Sequence, residues 1–256
     1  MKQNTYDILF DSDGFMLSGM LHLPEPETDL PPLVIGSHGL EGSMESAKQK
    51  VMAEILVKHG IAFFRFDHRG CGRSQGNFAA DTSLEKRTDD LVNAVMHVTG
   101  LGKTGPRLAL FGSSLGGAAC INAWHRLKSV KHNIRLCGAV ICSAPVKTST
   151  IKRIPTKATD RRPALPLSFF EKNLLFDISC KASELFNVLI FHGDADQTVP
   201  VSNAFDIYKA AQEPKRLIIH KNGDHQMTSR KDQMEFEKKS VIWLSRCFDT
   251  CKNLPS

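Results

Sequence analysis

The sequence predicts an α/β fold, a mostly parallel central sheet covered by helices on both faces. Three observations carry that expectation. Apolar runs of strand length alternate with longer amphipathic runs along most of the chain. Most of the short runs are continuously apolar, as strands buried on both faces must be. The length, 256 residues with 41% hydrophobic, suits a single α/β unit with a substantial core.

The elements follow in order. "YDILF" and "FMLSGMLHL" flank Asp11, Ser12, Asp13 and Gly14, a turn signal, and read as a hairpin. "PLVIGSHG" (32–39) reads as a buried strand. The spacing of Val51, Ile55 and Leu56 predicts a helix over 47–59. "IAFFRFDH" (61–68) is a strand, and Leu84, Leu91, Val95 and Val98 mark a helix over 84–98. "RLALFG" (107–112) is a strand followed directly by a helix, "LGGAACINAWHRL" (115–127). "RLCGAVICSAP" (135–145) and "NVLIFHGD" (187–194) are strands. "NAFDIYKAAQ" (203–212) is a helix, and "KRLIIHKNGDH" (215–225) is a strand with its loop. The last helix is expected over 233–248. Between 146 and 185 the rhythm breaks. These residues carry Pro, Lys, Arg and "LSFFEKNLLF" but no clear strand, so they read as an irregular insertion over the ligand-binding edge of the sheet.

Composition excludes several classes. No apolar stretch approaches the roughly 20 residues of a membrane span. The opening "MKQNTYDILFDSDG" lacks the apolar region of a signal peptide, which predicts a cytoplasmic protein without membrane partners. The seven cysteines are scattered, several within apolar runs, and read as reduced core thiols. Cys247 and Cys251 lie four apart, but further ligands are not visible nearby, so neither a metal nor a cofactor is expected. Of the net charge of +6, the segment 147–162 carries +5, from six basic residues and one acid. That segment is short, and its prolines separate it from the broad basic face, interleaved with aromatics, of a nucleic-acid binder. It reads as a solvated loop or as an attractor for an anionic substrate group.

The chemistry starts at Gly112-Ser113-Ser114-Leu115-Gly116, a G-x-S-x-G between strand and helix. Ser114 has glycine at both −2 and +2, whereas Ser113 does not. A sharp turn there brings strand and helix backbones close together and lifts the Ser114 hydroxyl above the sheet edge. The N–H of Leu115, at the start of the new helix, then faces where an oxyanion would sit. A hydroxyl needs a base to act as a nucleophile near neutral pH. Two polar loops at strand ends supply candidates: His192-Gly193-Asp194-Ala195-Asp196 and Asn222-Gly223-Asp224-His225. His38-Gly39-Leu40 follows an earlier strand, where a second oxyanion donor is expected. The order Ser, Asp, His along the chain is that of the α/β-hydrolases.

With these residues in place, the chain resembles the α/β-hydrolase superfamily over nearly its whole length. It is most similar to small bacterial carboxylesterases of the cinnamoyl/feruloyl-esterase and serine-peptidase-like group. "DHRGCGRSQG" (67–76), "GRSQGNF", "LPLSFF" and "GDH" add to that likeness. The resemblance implies one α/β-hydrolase domain over 1–256, with a short cap insertion at about 146–185. It implies Ser114 as nucleophile, His225 as general base, Asp196 as the acid, and Leu40 and Leu115 as oxyanion donors. The implied activity is cleavage of small to medium carboxylic esters through an acyl-enzyme. Peptidases, thioesterases and acyltransferases use the same triad, and a non-catalytic binding protein on this fold is the alternative of another class. Met227 stands where the family often has an aromatic residue, and the insertion is shorter than in typical feruloyl esterases.

Other residues have plainer readings. Asp194 competes with Asp196 and otherwise caps a loop. His38 and His192 orient loops, while His22, His59, His97, His125, His132 and His220 are structural or solvated. Asp67 and Arg69 are expected to brace their loop as an ion pair. Phe169 and Phe170, with Leu174, Leu175 and Phe176, either line the substrate pocket or form the underside of the cap.

Overall fold

The structure is a computed structural model and describes residues 4–25, 30–129, 134–151, 154–160 and 164–252. Eight strands form one sheet: β1 (Asn4–Ser12), β2 (Phe15–Leu23), β3 (Leu33–Ser37), β4 (Ala62–Phe66), β5 (Arg107–Ser113), β6 (Arg135–Cys142), β7 (Val188–Gly193) and β8 (Lys215–His220). Their spatial order is β1-β2-β4-β3-β5-β6-β7-β8. The opening hairpin pairs antiparallel, β2 runs antiparallel to β4, and every pair from β4 to β8 is parallel.

The central strands are buried along their full length, as the continuous apolar runs require. One face is covered by α3 (Leu84–Gly100), α4 (Leu115–Ser129) and α6 (Ser202–Ala210), through Leu91, Val95, Ile121, Trp124 and Ile207 among others. The opposite face packs under α1 (Ala47–Val57) and α7 (Arg230–Lys252), through Met52, Leu56, Phe236, Leu244 and Phe248. The last helix thus starts earlier and ends later than its apolar pattern suggested, and its final turn buries Cys251. None of the described helices is long and apolar enough to cross a membrane.

Two helices lie where the sequence suggested loop. Asn77 caps α2 (Phe78–Asp81) by accepting the N–H groups of Ala79 and Ala80. Inside 146–185, α5 (Leu167–Asn173) forms, with 3₁₀ turns at Thr148–Thr150 and Ser179–Glu184. The insertion is therefore partly regular. The parallel strands bring the loops after β3, β4, β5, β6, β7 and β8 to one edge of the sheet, their carboxyl end.

Candidate active site

Ser114 follows β5 directly and adopts a left-handed backbone conformation, φ 55°. This costs an L-residue about 1–2 kcal/mol. The glycines around it make the turn possible. A Cβ on Gly112 would lie 2.6 Å from the Gly116 carbonyl oxygen and from Gly117 Cα. A Cβ on Gly116 would run into the carbonyls of Ser37 and His38. So α4 starts in direct backbone contact with the end of β3, and side chains at either glycine would force them apart. The Ser114 N–H is tied to the carbonyl of Cys142, 2.8 Å away on β6.

His225 and Asp196 arrive from neighbouring strands. Gly193 and Gly223 pass backbone against backbone, with no space for a Cβ on Gly193. That contact fixes the loop after β7 against the loop after β8. His225 Nδ1 lies 2.7 Å from Asp196 Oδ2, and its Nε2 lies 3.1 Å from Ser114 Oγ. With a carboxylate on one side, the Nδ1 proton donates to Asp196, which leaves the Nε2 lone pair for the serine hydroxyl.

Asp196 is well supplied with donors. Its Oδ1 accepts the N–H groups of Thr198 and Val199, both at 2.8 Å. Its Oδ2 also lies 3.3 Å from His192 Nε2. Burial by itself would raise its pKa. Hydrogen bonds from His192 and His225, the charge of His225 and the Val199 N–H outweigh that and hold it well below the usual carboxylate range. Asp194 points elsewhere and accepts the Asn222 N–H at 2.5 Å, as a loop cap. His192 donates from Nε2 to the Val199 carbonyl at 2.9 Å, bracing the Asp196 loop.

On the far side of Ser114 runs the loop after β3. A Cβ on Gly39 would sit 3.2 Å from Ser114 Cβ, so that loop lies against the serine. Leu40 and Leu115 both line the same cavity as Ser114 and His225. This cavity has a volume of about 810 Å³. Its apolar wall includes Ile151, Phe170, Leu174, Leu175 and Phe176 from 146–185, with Met227 and Phe236 from beyond β8. Phe169 is not part of the wall. It packs behind it, stacked on Phe78 at 6.3 Å and edge-on to Phe170 at 5.2 Å. The two phenylalanines thus divide the two readings given for that block.

Among the described residues, the charged side chains that line the cavity are mostly acidic. Glu41, Glu45, Asp160, Glu171 and Glu237 line it, against Lys48 alone among the described basic residues. Of the basic segment, Lys147 reaches Asp206 at 4.0 Å and Lys157 is exposed. Lys152, Arg153, Arg161 and Arg162 lie outside the described residues.

Asp67 and Arg69 do not pair with each other, contrary to expectation. Asp67 accepts the backbone N–H groups of Met44 and Arg73 at 2.7 and 2.9 Å. Arg69 instead pairs with Asp90 at 2.7 Å and Asp13 at 2.8 Å. The sequence placed the two residues in one loop, but the fold turns them to opposite partners.

A second serine–histidine–aspartate chain, not foreseen from the sequence, lies nearby. Ser37 Oγ is 2.9 Å from His68 Nε2, and His68 Nδ1 is 3.3 Å from Asp90 Oδ2. Ser37, His68 and Asp90 are all completely buried. Burial lowers the His68 pKa to about 4, so the ring is neutral. No substrate reaches this serine, and its φ is not strained as that of Ser114 is. The set braces the end of β3, while Ser114 opens onto a cavity.

Comparisons with known proteins agree with this architecture. Residues 30–165, more than half of the chain, match the sequence profile described as "Serine aminopeptidase, S33". The uncharacterized protein YfhR of Escherichia coli K12 is 29% identical over 220 residues, spanning 83% of this chain and 70% of YfhR. The mouse mitochondrial palmitoyl-protein thioesterase ABHD10 is 26% identical over 225 residues, 78% of this chain and 71% of that one. Among solved structures, Est1E of Butyrivibrio proteoclasticus with ferulic acid bound superposes with a TM-score of 0.77 at 21% identity. That likeness covers 93% of this chain and 99% of Est1E. The chain belongs to the serine aminopeptidase S33 family of α/β-hydrolases.

Proposed function

We propose that this protein is a serine hydrolase that cleaves carboxylic esters of small to medium size, with Ser114 as nucleophile, His225 as general base and Asp196 as its orienting acid. The observation that carries the reading is the hydrogen-bonded chain Ser114–His225–Asp196, whose serine and histidine line a largely apolar cavity. Ser114 Oγ attacks the ester carbonyl carbon as His225 Nε2 takes its proton. The carbonyl oxygen becomes an oxyanion, met by the N–H groups of Leu40 and Leu115. When the tetrahedral adduct collapses, His225 returns the proton to the leaving alcohol and the acyl group stays on Ser114. Water then attacks the acyl-enzyme, again losing its proton to His225, and the carboxylic acid departs as Ser114 regains its hydrogen. Asp196 stays ionised throughout and holds the Nδ1 proton. Phe170 contacts the acyl part, and Phe169 supports it from behind.

A thioester substrate is the second reading. The apolar wall suits an acyl chain, and one relative is named as a palmitoyl-protein thioesterase. The test is labelling with a fluorophosphonate followed by peptide mapping, beside turnover of a chain-length series of p-nitrophenyl esters and acyl thioesters. Labelling confined to Ser114, abolished in Ser114→Ala and intact in Ser113→Ala and Ser37→Ala, is the expected result. A folded protein that neither labels nor turns over any acyl substrate would make it a binding protein instead.

A further inference from the structure

The first residues of the loop carrying Leu40 are held from below by a buried cation. Arg87, on α3, is 1% exposed. Its Nη1 donates to the carbonyls of His38 at 3.0 Å and Gly39 at 3.1 Å, and its Nη2 to the carbonyl of Leu40 at 3.0 Å. Three successive peptide groups are thus gripped by one guanidinium fork, which suits planar, multipoint recognition as an ammonium does not. The Gly39 oxygen is the most heavily loaded of the three. It also accepts the Gly42 N–H at 3.1 Å and lies 2.8 Å from His38 Nδ1. Because that partner is a carbonyl, the His38 proton sits on Nδ1, and Nε2 accepts the His68 N–H at 3.2 Å.

Two consequences follow for the next amide. The peptide between Gly39 and Leu40 is trans, so its C=O and N–H point in opposite directions. Fixing the oxygen toward α3 fixes the Leu40 N–H away from it. Three donors on the oxygen, one of them cationic, also draw charge through the amide and make the same N–H a stronger donor. We propose that Arg87 is a positioning residue for ester cleavage, which aims and polarises the Leu40 N–H toward the oxyanion before substrate arrives. Asp90, one turn further along α3, fixes the strand leading into the same loop through His68 and Ser37. One helix therefore holds both the end of β3 and the first three residues of the loop that follows it. The proposal rests on the reading of Ser114 as nucleophile, and adds that this donor's strength is set by a group that never meets the substrate.

The experiment compares wild type with Arg87→Met and Arg87→Lys. Removing one oxyanion donor outright costs on the order of 10² to 10³ in kcat. Misaiming it should cost about 10- to 100-fold in kcat for p-nitrophenyl butyrate, with KM changed less than about threefold. The inhibition constant of a butyl trifluoromethyl ketone, which presents an oxyanion once Ser114 adds to it, should rise in parallel. The Leu40 amide, followed by NMR in ¹⁵N-leucine-labelled protein, should move to lower proton frequency. Arg87→Lys, which keeps the charge but not the fork, should fall between the two. If Arg87→Met is too unstable to purify, the same comparisons are read from Arg87→Lys. Unchanged kcat and ketone affinity in a folded variant would overturn the proposal. So would a lower melting temperature and kcat with ketone affinity unchanged, which is the signature of a purely structural arginine. Should the wild type prove inert to every acyl substrate, the functional reading fails on its own. The Leu40 resonance still decides whether Arg87 orients and polarises that amide.

Discussion

Replacing Asp196 by asparagine sets two hydrogen-bonding demands against each other, and the structure gives their sizes. The Oδ1 position faces two backbone N–H groups, from Thr198 and Val199, and needs an acceptor. The Oδ2 position faces His225 and His192. Placing the amide nitrogen at Oδ1 would oppose two donors, whereas placing it at Oδ2 opposes only the His192 Nε2–H. One extra buried donor left unsatisfied costs about 1–3 kcal/mol, so the second orientation dominates. There the amide donates to His225 Nδ1, pushes the ring proton to Nε2, and turns a base into a donor facing Ser114. The minor orientation keeps the useful tautomer but lacks the charge that steadies an imidazolium. The difference between a charged and a neutral acceptor is worth about 1–1.5 kcal/mol. Together these amount to about 2–4.5 kcal/mol, roughly 30- to 2,000-fold in kcat. Asp196 is not part of the cavity wall, so KM should hold within about threefold. Asp194→Asn keeps the acceptor for the Asn222 N–H and should leave kcat within about twofold. The assay is p-nitrophenyl butyrate hydrolysis, with circular dichroism and urea unfolding as checks on folding. A folded Asp196→Asn enzyme within threefold of wild-type kcat would refute the reasoning, as would Asp194→Asn proving the more damaging.

Phe170→Ala should raise KM for medium-chain esters by about tenfold with a modest loss of stability, because its ring forms the cavity wall. Phe169→Ala should instead destabilise by about 3–5 kcal/mol, read by urea unfolding, since it is buried against Phe78 and Phe170. Acid should weaken the fold in two stages. His68 has a folded pKa of about 4 against an ordinary 6.5, so the unfolded chain binds the extra proton first and stability falls as pH drops from 6.5 towards 4. Asp90 has a folded pKa of about 2 against 3.8, so its contribution is full above the unfolded value and is lost as pH falls from about 4 to 2. Urea midpoints from pH 7 to pH 2.5 check this, and Asp90→Asn, which removes the carboxylate of the second stage, should have a lower midpoint at pH 7.

Most of the sheet was legible because its central strands are short, largely apolar runs bounded by turn residues, and such runs have few alternatives. Ser114 was legible for a related reason, since only a turn with crowded backbones needs glycine two residues before and after a serine. The missed helices α2 and α5 span one or two turns, too short for a 3.6-residue period to register. Arg87 and Asp90 lie in "LEKRTDD", which reads as the solvated face of a helix. Nothing local tells a buried guanidinium from an exposed one, because its partners are carbonyls nearly 50 positions away. Asp67 and Arg69 failed for the same reason. Proximity in a loop suggested a pair, but the carboxylate that takes Arg69 comes from α3. Phe169 and Phe170 are adjacent, and only the helix they form decides which ring faces the cavity.

The insertion between β6 and β7 is closed at its neck. Ile178 N–H bonds the Val146 carbonyl at 2.8 Å and Thr148 N–H bonds the Phe176 carbonyl at 3.1 Å, which pairs Lys147 with Asp177 in an antiparallel backbone bridge. Asn203 of α6 clasps the entry by accepting the N–H groups of Val146 and Lys147. A loop with a stapled stem is a cassette. Its tip can be lengthened, shortened or exchanged for that of a relative while the stem keeps the ends in place. The strands bearing Ser114, Asp196 and His225 carry none of that change. Variation in the cavity wall on this scaffold is therefore open to grafting at one site, with the stem residues as the natural splice points.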